Sequence, residues 1–239
     1  MDIVRFMAGG VLPYVALAVF VGGMTYKIRA WTTLASPPMT LFPAPVTGEA
    51  NILNTVQEAV LFKSLFKGDR VLWAFAWVFH AVLALIVIGH FRVVANVDVI
   101  LMKLGMSEEA IAGMSSGVGG AAGVVILAAA FFLLARRFVV PRVAEITGAS
   151  DYLALLLVAA IIITGNMMRF GAEHFDLALT RDYFAALATF SGAAKAAALD
   201  NGVFLVHMCL ALSLVMVMPF SKLLHFGGIF FTHQLVRKH

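Results

Sequence analysis

The reading turns on residues 201–225, Asn201 to His225, which run NGVFLVHMCLALSLVMVMPFSKLLH. The stretch is apolar over a length that spans a hydrocarbon core, which takes about 20 helical residues, and it carries a histidine near each end, His207 and His225. A second apolar stretch, Val71 to Phe91, also carries two, His80 and His90. An imidazole inside a membrane span costs free energy unless something satisfies it. One such ring is most simply a hydrogen bond between helices. Four rings confined to two spans are the pattern of a protein that holds two haems inside a bilayer, because neutral imidazole is a standard axial ligand of haem iron.

The rest of the chain agrees with a membrane setting. Of 239 residues, 62% are hydrophobic and only 13% charged, with a mean hydropathy of +0.97. Soluble domains carry about a quarter charged residues. The expected fold is therefore an all-α integral membrane protein, a single membrane domain over 1–239, with five spans at about 8–26, 71–91, 114–134, 152–168 and 203–224. The first span is too long for a cleaved signal peptide and has Asp2 before it and Lys27 and Arg29 after it, so it reads as an uncleaved span. Segments 27–70, 135–151 and the end from Lys222 hold 11 of the 17 basic residues, which puts them in the cytoplasm by the positive-inside rule. The N-terminus is then outside and the C-terminus inside. The net charge of +4 reflects this topology and no nucleic-acid surface. The one cysteine, Cys209, excludes a disulfide framework, covalent haem attachment and an iron–sulfur cluster within the chain, so any haem is b-type.

Two further stretches stand out. The cytoplasmic loop 27–70 begins with the turn-rich SPPMTLFPAP and continues, from Ile52 to Phe66, as an amphipathic helix suited to the leaflet surface or to docking a soluble partner. Span three opens GMSSGVGGAAG, whose small side chains let helices approach closely and leave room for a flat cofactor. The loop at about 169–200 is long enough for a short surface helix.

Antiparallel topology dictates how the histidines pair. Span two runs outward and span five inward, so His80 and His225 are the inner rings and His90 and His207 the outer ones; each pair faces across one haem. The rise along a straight helix conflicts with this, since ten residues give roughly 15 Å and 18 give roughly 27 Å, and the ten-residue step turns the ring by roughly 80°. Tilted helices and a kink at Pro219 are the devices available to absorb the mismatch. Arg92, two residues beyond His90, is a candidate for the outer haem propionates, with Gly89 beside His90 as a further contact; Arg136, Arg137, Arg142 and Lys222 lie at the inner boundary. His174, His233 and His239 read as surface residues. A competing reading, a haem-free transporter with a histidine proton relay, lacks the scattered Asp and Glu expected of one.

FHAVLALIVIGHF (Phe79–Phe91), GVGGAAGVVI (Gly117–Ile126), FVVPRV (Phe138–Val143) and HMCLALSLVMVMPFSKLLH (His207–His225) resemble the gamma-subunit family of respiratory nitrate reductases, five-helix dihaem b cytochromes, over about Trp73 to His225. The four histidines fall at that family's ligand positions, with its spacings of 10 and 18. The resemblance implies the same pairing, a quinone site beside the outer haem (menaquinone or ubiquinone), one-electron relay to a cytoplasmic iron–sulfur subunit, and residence in the prokaryotic inner membrane. It implies a quinone-reactive electron-transfer subunit with no catalytic site for the terminal substrate. The nitrate-reductase members place a lysine just before the Gly-rich start of span three. Here that place is about Ala110–Ile111, with Lys103, Glu108 and Glu109 nearby. FKSLFKGDRVLW (Phe62–Trp73) looks more like the membrane subunits of sulfite-reduction-associated and heterodisulfide-reductase-type complexes.

Overall fold

The computed structural model describes residues 3–33, 49–172, 174, 176–191 and 197–225. The SPPMTLFPAP stretch, Lys195, His233 and His239 fall outside these. Among the described residues every regular element is helical. Five helices are long and apolar enough to cross a membrane: α1 (Ile3–Thr33), α4 (Arg70–Val94), α6 (Glu108–Val139), α8 (Ala149–Phe170) and a fifth over Gly202–Phe220, whose α-helical part is α10 (Gly202–Val217). Between them lie α2 (Glu49–Leu61), α3 (Lys63–Gly68), α5 (Val97–Lys103), α7 (Pro141–Ile146) and α9 (Leu177–Ala188).

The span helices start and stop where local chemistry dictates. Asp69 accepts from the Leu72 N–H at the start of α4, Ser107 from Ala110 at the start of α6, and Asn201 from Phe204 at the start of α10. Each satisfies a backbone donor that a helix N-terminus leaves unpaired. Pro141 opens α7, where its missing N–H costs nothing.

Helix α4 packs on α6, α6 on α8, α8 on α10, and α10 on α1. Helix α4, which bears His80 and His90, and α10, which bears His207, are not among the closely packed pairs. Small residues bring the others together. Asn166 on α8 donates to the Gly123 carbonyl on α6 (2.9 Å), and a Cβ on Gly123 would overlap Asn166 Oδ1. The Gly-rich stretch of span three is thus partly a packing seam.

The loop after span four does contain a helix, α9, with one face exposed at Ala178, Leu179, Asp182 and Ala185 and the other packed inward. Its Tyr183 is fully buried, in a cluster with Met168, Leu199, Phe204 and Met208. The Tyr183 hydroxyl donates to the Gly9 carbonyl (2.7 Å) within a single π-helical turn, Met7–Val11, of α1. Such a bulge leaves a carbonyl for an outside donor. Helix α9 therefore ties the end of α4 to the start of α1.

The amphipathic stretch 52–66 is not one helix. It divides into α2 and α3 at Phe62, which adopts a left-handed conformation (φ 51°, ψ 48°). Nor does the last span run helical to His225. Helix α10 ends at Val217, and Met218–Phe220 and Lys222–Leu224 form two short 3-10 turns separated by extended Ser221. The cause is Pro219, which cannot donate to the preceding turn.

Candidate cofactor site: two facing histidine pairs

His80 and His90 lie on the continuous helix α4. Each turns its Nδ1 back to the carbonyl four residues earlier: His80 donates to Ala76 and His90 to Ile86, both at 2.7 Å. His225 donates from Nδ1 to the Lys222 carbonyl (3.0 Å). His207 lies 2.9 Å through Nδ1 from Thr164 Oγ1, and Thr164 directs its own hydroxyl hydrogen to the Ala160 and Ile161 carbonyls. Carbonyls only accept, so Nδ1 carries the hydrogen in His80, His90 and His225; His207 matches them when the Thr164 hydroxyl gives its single hydrogen to Ala160 or Ile161. In neutral rings of that tautomer each Nε2 keeps its lone pair, as a metal-ligating imidazole needs.

The rings face one another in the two pairs that antiparallel topology implies. His90 and His207 have ring centres 6.4 Å apart and planes 15° apart. His80 and His225 have centres 5.7 Å apart and perpendicular planes. With metal–imidazole bonds of about 2.0 Å, two imidazoles on opposite sides of one metal place their ring centres roughly 6 Å apart. The straight-helix mismatch disappears because α10 stops. From His207 to Val217 the helix rises roughly 15 Å, as much as from His80 to His90. The remaining residues run through the 3-10 turns, and His225 meets His80 from beyond the helix end.

Among the described residues no three His, Cys, Asp or Glu side chains converge as they would around a bare ion. Two imidazoles per site suit a metal that brings its equatorial ligands with it, as iron does in a porphyrin. The flanking cations also fit a haem, whose propionates need donors. Arg137, in the last turn of α6, has a buried Nε with no partner. Its neighbours are committed: Arg136 to Asp69 (3.3 Å) and Lys222 to Asp151 (2.8 Å). No contact of Arg142 enters the site.

At the opposite end Arg92 does not stand alone. Its Nε donates to Asp98 Oδ1 (2.7 Å), Arg181 donates to Asp98 Oδ2 (2.7 Å), and Arg181 Nε donates to the Arg92 carbonyl (2.6 Å). The hydrogen bond from Arg92 holds the Asp98 carboxyl below the usual carboxylate range, and Arg181 adds to the effect. Arg169 makes no hydrogen bond or ion pair among the described residues. Its guanidinium lies over Gly119 of the Gly-rich stretch, where an added Cβ would sit 3.0 Å from Nη2. Gly89 is exposed, and a Cβ there would meet nothing within 4 Å, so no described residue requires glycine beside His90. Ile111 is buried, while Glu108 and Glu109 lie in the first turn of α6 and Lys103 in the last turn of α5. His174 lies in the loop after α8, with Nδ1 3.2 Å from the Met168 carbonyl.

Three positions that shape the site carried no weight in the sequence analysis. Thr164 orients His207. Gly165 lies against that ring, where a Cβ would make an ordinary van der Waals contact, 3.4 Å from His207 Cε1. Gly23 on α1 leaves room for the turn before His225, since a Cβ there would lie 2.7 Å from Pro219 and 2.8 Å from Phe220. A Thr-Gly pair inside an apolar span was the legible signal for the first two. Gly23 had none.

The family model for the nitrate reductase gamma subunit matches residues 63–238. The Hdr-like menaquinol oxidoreductase cytochrome b-like subunit of Archaeoglobus fulgidus is 32% identical, across 94% of this chain and 77% of that protein. Its counterpart in Archaeoglobus profundus is 27% identical, across 92% of this chain and 76% of that protein. The nitrate reductase gamma chain of Bacillus subtilis is 24% identical, across 90% and 88%. A five-span helical membrane protein with this match over most of its length belongs to the nitrate reductase gamma-subunit family of membrane cytochrome b electron-transfer subunits.

Proposed function

We propose that the chain binds two b haems, one between His80 and His225 and one between His90 and His207, and serves as the quinone-reactive subunit of a respiratory complex. The observation that carries this reading is the arrangement of the imidazoles. Each of the four imidazoles has its Nδ1 within hydrogen-bond distance of a protein group, and the four fall into two pairs whose ring centres lie about as far apart as two ligands of one metal. Bound haem supplies reversible one-electron transfer between its ferric and ferrous forms.

The protein's own work is placement. Helix α4 presents two imidazoles at fixed height and rotation, Thr164 fixes the orientation of His207, and the turn after Val217 delivers His225. Arg137 at one end, and Arg92 and Arg169 at the other, are donors for the haem propionates. By the distribution of basic residues, the end holding Asp69 and His225 is cytoplasmic and faces an iron–sulfur subunit. The end holding Arg92 faces outward and is where a quinol is oxidised or a quinone reduced; Lys103, Glu108, Glu109 and Arg169 are the ionisable groups within its reach. The names of the archaeal relatives favour menaquinol. The membrane is then the inner membrane of a prokaryote.

The test is a reduced-minus-oxidised spectrum of the purified protein with a haem assay. Wild type should carry two haems per chain, and each single His→Ala change at 80, 90, 207 or 225 should remove about one. A colourless preparation from haem-sufficient cells, or full haem retention in the four variants, overturns the reading.

A further inference from the structure

The aromatic side chain of Phe62 lies edge-on to the His80 ring, with ring centres 5.2 Å apart and planes perpendicular. Its backbone is in the left-handed region (φ 51°), which a bulky non-glycine residue occupies only at an energetic cost. Such a conformation persists where its surroundings over-determine it, and it clusters at functional sites. The surroundings here are specific. Trp73 and Trp77, one turn apart on α4, donate their indole N–H groups to the Leu61 (2.7 Å) and Val60 (3.0 Å) carbonyls, the last two residues before the break. On the far side, the Glu58 carboxylate accepts from the Ser64 N–H (3.0 Å) and from its hydroxyl, so it bridges the break and caps α3. Lys63 Nζ donates to Gln57 Oε1 (2.8 Å), and the Phe66 ring rests on Trp73 at 4.9 Å. A plain amphipathic helix on the leaflet surface needs none of these contacts. Together they turn one aromatic ring out of the helix and onto the imidazole of a pair member, while residues on both sides of it, Leu61, Lys63 and Ser64, stay exposed.

We infer that Phe62 is a positioning and shielding residue for the His80–His225 site, held over it by the Trp73–Trp77 clamp. This rests on the haem reading above. The ring supplies an apolar edge beside His80 and excludes water from that side. A ferric haem carries one more positive charge than a ferrous one. A drier surrounding disfavours the charged form and raises the potential, one of the levers by which the shell around a metal tunes it. Phe62 therefore holds the haem at this end at a higher potential than an open site would, and it does so from the segment nearest an approaching soluble partner.

The informative variant is F62G. Glycine accepts the left-handed conformation without cost, so the turn survives and only the ring is lost. In a redox titration of the α-band on the intact membrane protein, the haem absent from His80→Ala should shift toward the ferric form about tenfold at fixed ambient potential, which for one electron is about 59 mV. The haem absent from His207→Ala should not move. F62Y, which restores an aromatic edge, should recover most of the shift. Selective loss of the His80–His225 haem in F62G also supports the assignment. Two haems with unmoved potentials in F62G, or an equal shift in both, overturns it. A wild-type protein without haem would instead remove the reading on which it rests.

Discussion

The two histidine pairs solve one geometric problem by opposite means. His90 and His207 both sit within regular helix, their planes are 15° apart, and the ring that lacks a carbonyl in its own helix borrows Thr164 from the neighbouring α8. His80 and His225 meet with perpendicular planes, because one ring comes from a helix and the other from a turn beyond a helix end. Regular helices suffice for one site. The second must be reached by breaking two helices, α10 at Pro219 and the amphipathic stretch at Phe62. A chain with a ten-residue step between one pair of histidines and an 18-residue step between the other has to discard the excess rise at one end, and this one does so at the end rich in basic residues.

The largest expected effect separates the pairs through a position outside both histidine-bearing spans. Gly23→Leu places a branched side chain where Pro219 and Phe220 now sit, at distances no real Cβ tolerates from backbone-anchored groups. The turn that delivers His225 must move. Haem content should fall from two to about one per chain, and the surviving spectrum should match His225→Ala. If Gly23→Leu instead lost the haem that His207→Ala loses, the asymmetry between the ends would be wrong.

A smaller change sharpens the same contrast. Thr164→Val keeps the shape of the side chain and removes the acceptor for His207 Nδ1. A ligating imidazole that donates its second N–H is the more basic ligand, and a more basic ligand favours ferric iron. Losing the acceptor should raise the potential of the His90–His207 haem and leave the other unmoved. Hydrogen-bond partners of a metal-ligating imidazole are worth about 10- to 100-fold in affinity or activity. A redox titration in which only the low-potential or only the high-potential component shifts would also assign the components to their sites.

How far the sequence carried these conclusions follows from which contacts are local. The five spans were legible because hydropathy integrates over some 20 residues, and the facing pairs because antiparallel topology leaves one sensible arrangement. The end of α10 was half legible: Pro219 announced a kink, but a proline does not say that His225 will lie outside the helix. The break at Phe62 was hidden, because apolar positions at Val56, Val60, Phe62, Leu65 and Phe66 keep a helical rhythm across it, and the forces that break it come from Trp73, Trp77 and Glu58. The resemblance of Phe62–Trp73 to heterodisulfide-reductase-type subunits pointed at this stretch without saying what it does; in the structure it is the element that folds over His80. At the other end, Arg92 was singled out as a lone cation, whereas Arg181, 83 residues from Asp98 in the chain, shares that carboxylate with it.

That shared carboxylate gives the smallest effect, and one with a defined pH sign. Asp98 bridges two guanidiniums and has a side chain 20% exposed. Its folded-state pKa lies below the ordinary value of 3.8, the hydrogen bond from Arg92 being the largest cause. A lowered folded pKa means that the native state binds the proton less readily than the unfolded chain. The contribution is complete above the unfolded value and is lost as pH falls through the folded one. Near neutral pH, Asp98→Asn should therefore cost only about 1 kcal/mol or less, since solvent screens a pair this accessible. The difference from wild type should begin to close below about pH 4 and narrow further as the folded Asp98 takes up its proton. Thermal unfolding of the detergent-solubilised protein at pH 7 and pH 3.5 measures it, and a gap that widens on acidification would mean that Arg92 and Arg181 are held by something other than this carboxylate. Because neither histidine pair loses a contact, both haems should remain. Any change in potential should be confined to the His90–His207 site, where a freed Arg92 would bring an uncompensated positive charge closer to the metal and raise it.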